Sequence, residues 1–160
     1  MDNFLVAINR VLGIEAGLVD DPNDPGGVTK WGISKRSYPN LDITNLTRDQ
    51  AVALYHRDFW SVLGLDSLPL SIASQILDFA VNSGGDIAKR ALQRAVGVAP
   101  DGVVGGHTLA ALKSTEPHDL IMIFLAERLD FMTGCKNWGA DGKGWARRVS
   151  QQLRYGVQDV

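Results

Sequence analysis

The amino-acid sequence predicts a mainly α-helical domain of the α+β class, with one small β-hairpin element near residues 18–34. Three observations lead to this prediction. Apolar residues recur at helical spacing along most of the 160-residue chain. Strand-like alternation is scarce, and Asp, Asn, Pro and Gly concentrate in one turn-rich loop, residues 18–29. The length and the 45% hydrophobic content suffice for a single core of ordinary size.

The first predicted helix ends next to this loop. It begins at Asp2 or Asn3, either of which can cap it. Gly17 is a suitable residue for its C-terminal stop, so Glu15 lies in or beside the last turn. The sequence after the loop, residues 28–34, has a weak alternation that permits a short hairpin strand.

The rest of the chain alternates between helical segments and short breaks. Thr47 and Gln50 form a capping-box pattern before the second helix. Pro69 can occupy the first turn of the third helix, which stops at Gly84-Gly85. Four further helical segments are predicted at residues 86–96, 107–113, 118–134 and 145–155.

The charge balance disfavours a nucleic-acid-binding function. Sixteen basic and 18 acidic side chains give a net charge of −2, whereas dedicated nucleic-acid binders are usually basic. The charge is uneven, because residues 1–80 hold 6 basic and 10 acidic side chains and residues 81–160 hold 10 and 8. The positive second half can face an anionic polymer such as a cell wall, although ordinary solvated helix faces give the same pattern.

The sequence shows no pattern typical of disulfides, metal sites, membrane spans or a signal peptide. Cys135 is the single cysteine, so the chain has no internal disulfide, and we expect this residue to be buried or half-buried. The three histidines show no metal-ligand spacing, and we expect no metal and no cofactor. No apolar run approaches the ~20 residues that span a membrane, and no signal-peptide pattern is visible.

Glu15, Asp24 and Thr29 are the residues that we expect to carry chemistry. Cleavage of a glycosidic bond needs one carboxylic acid that protonates the leaving oxygen, and a second group that activates water or stabilises the positive sugar centre. Glu15 is the only glutamate before Glu116, and it ends an apolar helix that faces the loop. A structural alternative remains, in which Glu15 is solvated and the loop aspartates bond to nearby amides.

Residues 15–34, EAGLVDDPNDPGGVTKWGIS, resemble the signature of glycoside hydrolase family 108. These proteins are N-acetylmuramidases of phage endolysins and related bacterial proteins. The order of Glu, then Asp nine residues later, then Thr is also similar to the active-site triad of phage-type lysozymes. The resemblance implies a lysozyme-like helical fold with Glu15 as the general acid and with Asp24 and Thr29 as its partners.

Two positions in this segment depart from the family pattern. Ala16 replaces a glycine, and an alanine is unsuitable if the backbone needs a positive φ there. Leu18 replaces the usual aromatic residue, which puts one sugar subsite in doubt.

The resemblance continues through the rest of the chain. Residues 77–84, LDFAVNSG, are similar to another stretch of the family. The segments that resemble a C-terminal peptidoglycan-binding part are residues 91–95, 101–105, 108–112 and 144–148. The implied organisation is a catalytic lobe of residues 1–84 and a helical peptidoglycan-binding lobe of residues 85–160, packed as one compact unit.

Four further residues are candidates for substrate binding. Trp31 and Tyr55 can stack on the apolar faces of sugar rings, although burial in the core is the alternative for large aromatic residues. Asp78 and Asn82 are one helical turn apart and can hydrogen-bond sugar substituents from one groove. A capped, solvated pair is the alternative for these two.

The resemblance implies a muramidase that cuts the β-1,4 bond between N-acetylmuramic acid and N-acetylglucosamine during phage lysis. Its expected partners are peptidoglycan glycan strands, with no nucleic acid and no membrane insertion, and a monomer is expected. Without a signal peptide, the protein is expected in the host cytoplasm until a holin-type hole gives it access to the wall.

Two alternative functions stay open. A lytic transglycosylase needs only one acid/base group and leaves 1,6-anhydro ends on its products. A non-catalytic wall-binding or secretion-accessory protein would bind peptidoglycan without releasing reducing sugar.

Overall fold

A computed structural model describes residues 2–14, 18–19 and 27–160 of the chain. This part is mainly helical, as the sequence predicts. The α-helices are α1 Asn3–Ile14, α2 Arg48–Tyr55, α3 Leu70–Ser83, α4 Gly85–Ala95, α5 Gly106–Ser114, α6 Pro117–Thr133 and α7 Trp138–Asp159. The strands are β1 Leu18–Val19, β2 Thr29–Lys30 and β3 Ile33–Ser34. A π-helix, His56–Ser61, continues α2, and a short 3₁₀ helix covers Leu65–Ser67.

The β element is a three-stranded antiparallel sheet in the order β1-β2-β3. Val19 pairs with Thr29 between the first two strands, and Thr29 pairs with Ser34 between the last two. Trp31 and Gly32 form the turn between β2 and β3, with φ values of 55° and 73°. Two successive positive φ values are typical of tight hairpin turns, and the sheet lies in the predicted range.

Local sequence signals account for several helix boundaries. Thr47 Oγ1 accepts a hydrogen bond from the Gln50 backbone N–H, and Gln50 Oε1 accepts one from the Thr47 N–H. The predicted capping box is therefore confirmed. Pro69 lies one residue earlier than predicted, because it is the N-cap residue of α3 with an extended ψ of 151°. Gly84, with a φ of 102°, ends α3 as predicted.

Helix α7 is longer than the predicted segment 145–155, because it begins at Trp138 and ends at Asp159. Glycines at its start, at positions 139, 142 and 144, weaken the sequence signal for a helix. Gly142 has a packing role there, since a Cβ atom at this position would lie 2.9 Å from the Trp138 indole.

The core is built around α3. All ten residues from Ser71 to Ala80 are buried, and α3 packs against α1, α4, α6 and α7. Aromatic contacts support this packing, with the Phe79 ring 6.0 Å from Phe124 and 5.7 Å from Phe131. Among the described residues, no helix has the length and apolar character required to cross a bilayer. Cys135 is half-buried, as predicted.

Candidate active site

Of the three predicted catalytic residues, the structure describes Thr29. Glu15 and Asp24 lie outside the described residues, so their predicted roles remain predictions. Helix α1 ends at Ile14, directly before Glu15, and the described chain continues with Leu18–Val19 and then from Gly27 onward. Leu18 and Val19 form β1, which pairs with β2. These two residues therefore lie beside the strand that holds Thr29.

Thr29 is half-buried on β2, and its hydroxyl donates a hydrogen bond of 3.1 Å to the Gly27 carbonyl. A hydroxyl group has one proton and two acceptor lone pairs. Because the proton is used within the loop, the lone pairs of Thr29 Oγ1 can accept a hydrogen bond from a water molecule or a sugar hydroxyl. This geometry suits the predicted water-holding role.

Trp31 is held in its turn by two hydrogen bonds from different directions. The Tyr55 hydroxyl donates to the Trp31 carbonyl at 3.0 Å, and Trp31 Nε1 donates to the Leu46 carbonyl at 3.3 Å. A non-glycine residue at positive φ is uncommon, and these bonds help to maintain it. Trp31 is half-buried, so part of its ring stays accessible to a sugar.

Tyr55 differs from the prediction, because its side chain is 1% exposed and contacts the core. Its ring lies 5.7 Å from that of Phe59. This burial argues against sugar stacking and favours the structural alternative. Tyr55 positions the Trp31 turn, and Trp60 is buried to the same extent.

Asp78 is also buried, where the sequence predicts a groove residue. Arg128 Nη1 donates to Asp78 Oδ2 at 2.6 Å, and Arg148 Nε lies 3.1 Å from both carboxylate oxygens. The exposed fractions of the Asp78 and Arg128 side chains are 1% and 0%. Both oxygens are thus occupied by arginines of α6 and α7. Asp78 joins three helices, and its burial argues against direct contact with a substrate.

The Asp78–Arg128–Arg148 cluster joins one carboxylate and two guanidinium groups. Burial lowers the pKa of the Arg128 guanidinium, although the Asp78 carboxylate opposes this shift. The Phe79 ring, 5.0 Å from Arg128, adds a cation–π contact. Among the described residues, Arg128 Nε and Nη2 have no hydrogen-bond partner. Arg128 therefore depends strongly on the Asp78 carboxylate.

Asn82 lies one turn after Asp78, near the end of α3, and is half-buried. Its Oδ1 accepts a hydrogen bond of 3.4 Å from the Ser83 hydroxyl. The two residues that were predicted to share a groove therefore differ in burial. Asp78 is buried, and only Asn82 is placed where a substrate can reach it.

Sequence reasoning missed a buried glutamine that organises the loop between α4 and α5. Gln93 Nε2 donates to Asp101 Oδ1 at 2.6 Å and to the Val103 carbonyl at 3.1 Å, while its Oε1 accepts from the Gly102 N–H at 2.7 Å. The Gln93 bond is also the main cause of the lowered pKa of Asp101. A cavity of about 410 Å³ lies here, lined in part by Val98 and Thr108. Gln93 is 1% exposed, and nothing in its helical sequence context marks it for this role.

A second missed feature is a groove beside α2. Two adjoining cavities of about 320 and 290 Å³ share Leu41, Leu54 and Arg57 in their walls. Next to them the Tyr38 hydroxyl donates to Asp58 Oδ2 at 2.7 Å. Burial, and then this bond, raises the pKa of Tyr38 to about 12. The described residues contain no group of three or more His, Cys, Asp or Glu side chains arranged to hold a metal ion.

Comparison with known proteins adds independent information. The family model described as Glycosyl hydrolase 108 matches residues 8–84. Among solved structures, that of Brucella abortus SagA superposes with a TM-score of 0.88 and is 33% identical in sequence. The match covers 98% of this chain and 94% of that one. No curated protein matches the chain. The comparisons confirm the predicted helical, lysozyme-like fold. Residues 85–160, for which the sequence predicts peptidoglycan binding, lie beyond the residues that the family model matches.

Proposed function

Because this chain belongs to the glycosyl hydrolase 108 family, we propose that it hydrolyses the β-1,4 bond between N-acetylmuramic acid and N-acetylglucosamine in peptidoglycan. Family membership makes the chain a glycoside hydrolase, and the bond and the polymer are the finer part of the proposal. One observation carries it: the family match, residues 8–84, spans all three predicted catalytic positions, Glu15, Asp24 and Thr29.

In the proposed reaction Glu15 protonates the bridging oxygen as the sugar centre becomes positive. Asp24 or Thr29 positions the attacking water or stabilises the oxocarbenium-like transition state. The Thr29 hydroxyl is suited to the first task, because it donates to the Gly27 carbonyl and so presents its lone pairs to water. Attack by a water held on Thr29 would give an inverted product.

Two half-buried residues are proposed to contact the glycan. Trp31 lies at the β2–β3 turn, where bonds to Tyr55 and Leu46 fix its main chain and its indole. A fixed aromatic ring loses little conformational entropy when a sugar stacks on it. Asn82, near the end of α3, can bond to N-acetyl or hydroxyl groups. Tyr55 supports Trp31 from within the core through its hydrogen bond to the Trp31 carbonyl.

The second half of the chain, residues 85–160, is proposed to bind peptidoglycan. The candidate binding site in this half is the cavity of about 410 Å³ beside Gln93, which is lined in part by Val98 and Thr108. The biological setting that we propose is lysis of a bacterial host by a phage, with the enzyme kept in the cytoplasm until a holin-type hole lets it reach the wall.

The chemistry of the products tests the proposal. Purified peptidoglycan is digested with the wild-type protein in ¹⁸O-labelled water, and the fragments are analysed by mass spectrometry. A muramidase gives new N-acetylmuramic acid reducing ends that carry one ¹⁸O atom. Products with 1,6-anhydro ends and no label would identify a transglycosylase. Wall binding without new ends would identify a non-catalytic binding protein.

A further inference from the structure

Helices α6 and α7 carry an exposed apolar strip. Single exposed apolar side chains are common on soluble proteins, whereas a contiguous set indicates an interaction surface. The strip consists of Met122, Leu129, Leu153, Val157 and Val160. Val157 is 73% exposed and Met122 is 56% exposed, so neither side chain belongs to the core of the isolated chain.

The packing of the two helices shows that these side chains are neighbours. Gly156 approaches Ile121 so closely that a Cβ atom would lie 2.8 Å from Ile121 Cγ2. Farther along, Arg128 and Arg148 meet at Asp78. Both contacts give the same antiparallel register, in which residue 122 is level with residue 155. At 3.6 residues per turn, Met122 then faces outward between Leu153 and Val157.

Charges of opposite sign flank the strip. By the same helical geometry, Lys143, Arg147 and Arg154 lie on the far side of α7, and Asp119 and Asp130 lie on the far side of α6. All five side chains are exposed. Within the described part of the chain, none of them forms an ion pair. The register places Arg147 level with Asp130, on opposite edges of the strip.

We propose that this α6–α7 face binds a second copy of the chain in a two-fold symmetric dimer, with the symmetry axis parallel to the two helices. Such an axis places α7 of each copy over α6 of the other at the same level. Arg147 then faces Asp130 of the other copy, and Arg154 lies about one turn from Asp119. This proposal replaces the monomer expected from the sequence.

The charges select this arrangement over two others. An axis perpendicular to the helices would place the basic edge of α7 against its own copy, which is repulsive. An anionic lipid surface would meet Asp119 and Asp130 along with the basic residues. Only the parallel axis brings apolar strip onto apolar strip and basic edge onto acidic edge.

The size of the face predicts a weak dimer. Helix α6 has 17 residues, so it is about 26 Å long at about 1.5 Å per residue. Two helices about 10 Å apart present a face of about 500 Å² per copy. The total, about 1,000 Å², is near the lower limit for specific interfaces. We therefore expect monomer and dimer to be in equilibrium, with a dissociation constant in the micromolar range.

Sedimentation velocity over a range of concentrations tests the apolar part of the proposal. Val157→Ser is expected to weaken dimerisation about tenfold or more, because each dimer loses two buried valines. Val62→Ser is the matched control, since Val62 is also 73% exposed but lies after α2. Circular dichroism confirms that both variants fold. A wild-type protein that stays monomeric up to near-millimolar concentration, or equal behaviour of the two variants, would overturn the proposal.

A charge exchange tests the predicted pairing. Arg147→Asp alone and Asp130→Arg alone each place like charges opposite one another and are expected to weaken the dimer about tenfold. The double variant restores opposite charges and is expected to dimerise within a few-fold of wild type. If the double variant dimerises as weakly as the single variants, the proposed two-fold symmetry is wrong. Val157-dependent binding to phosphatidylglycerol vesicles by a monomeric protein would assign the face to lipid instead.

Discussion

Two networks of three residues, each centred on an aspartate, differ in burial: one lies in the core and the other lies on the surface. In the first, Asp78 binds Arg128 and Arg148 between α3, α6 and α7. In the second, Asp58 binds Tyr38 and Arg57 on the surface beside α2. The leading arginine–aspartate distance is 2.6 Å in both. The Asp78–Arg128 pair is 1% and 0% exposed, whereas the Asp58–Arg57 pair is 28% and 68% exposed.

Burial, and not bond length, decides what each network contributes to stability. Water solvates the surface charges when their partners are removed, so their mutual attraction is weak. A buried charge that loses its partner has no such compensation. The core around α3 is therefore expected to tolerate charge changes poorly, and the exposed surface around Arg57 and Asp58 is expected to tolerate them well.

The largest expected effect is that of Asp78→Asn. This change removes the carboxylate that pairs with the buried Arg128 guanidinium, and a loss of about 3–5 kcal/mol in the free energy of unfolding follows from breaking one side of a buried pair. Urea denaturation measures it. The control is Asp86→Asn, which breaks an exposed pair with Arg90 and is expected to leave stability nearly unchanged. Equal effects of the two changes would show that burial is not decisive.

Gln93→Ala separates the effect of burial from that of charge, because Gln93 is buried but uncharged. Without it the Gly102 N–H loses its acceptor, and we expect a loss of about 1–3 kcal/mol. Gln158→Ala, at an exposed position of α7, is the control. A loss equal to that of Asp78→Asn in urea denaturation would mean that burial alone, without charge, determines the cost.

Tyr55→Phe removes the hydrogen bond that joins the helical part to the β2–β3 turn. The Tyr55 hydroxyl donates to the Trp31 carbonyl, and its removal is expected to cost about 1 kcal/mol in thermal unfolding. A stability unchanged from wild type would mean that the positive φ of Trp31 does not depend on this bond.

The smallest expected effect concerns Tyr38 and appears only at high pH. The pKa of Tyr38 is raised from 10.0 to about 12 in the folded protein, so folding favours the neutral hydroxyl. Its contribution to stability is fully present below pH 10 and is lost as the pH rises towards 12. The melting temperature of wild type is expected to fall more steeply across this window than that of Tyr38→Phe. Parallel curves would contradict the assignment.

Much of the helical architecture could be predicted from local sequence. The capping box of Thr47 and Gln50 and the stop at Gly84 are signals that depend on neighbours in sequence, and the structure contains both. The start of α7 could not be predicted in this way, because the glycines that weaken its helical signal are compensated by packing, as at Gly142 against Trp138.

The candidate site could be predicted only in part, because contacts between residues that are far apart in sequence leave no local sequence signal. The spacing of Asp78 and Asn82 shows that they share one helix face, but spacing does not show which neighbours cover that face. Arg128 and Arg148 cover Asp78, and they lie 50 and 70 positions away from it in sequence. Gln93 shows the same limit, since its partners belong to the loop that it organises. The prediction of Glu15 and Asp24 depends on motif resemblance and is not tested by the described residues.

The proposed role of Glu15 as the general acid is tested by comparing Glu15→Gln with Glu116→Gln in a peptidoglycan turbidity assay. Glu116 caps α6 by accepting hydrogen bonds from His118 and Asp119, and a glutamine can still accept them. Glu15→Gln removes only the acidic proton from the proposed general acid, and we expect the rate to fall about a hundredfold or more. Glu116→Gln is expected to retain the wild-type rate. Full activity of Glu15→Gln would show that Glu15 is not the acid and would contradict the proposed mechanism.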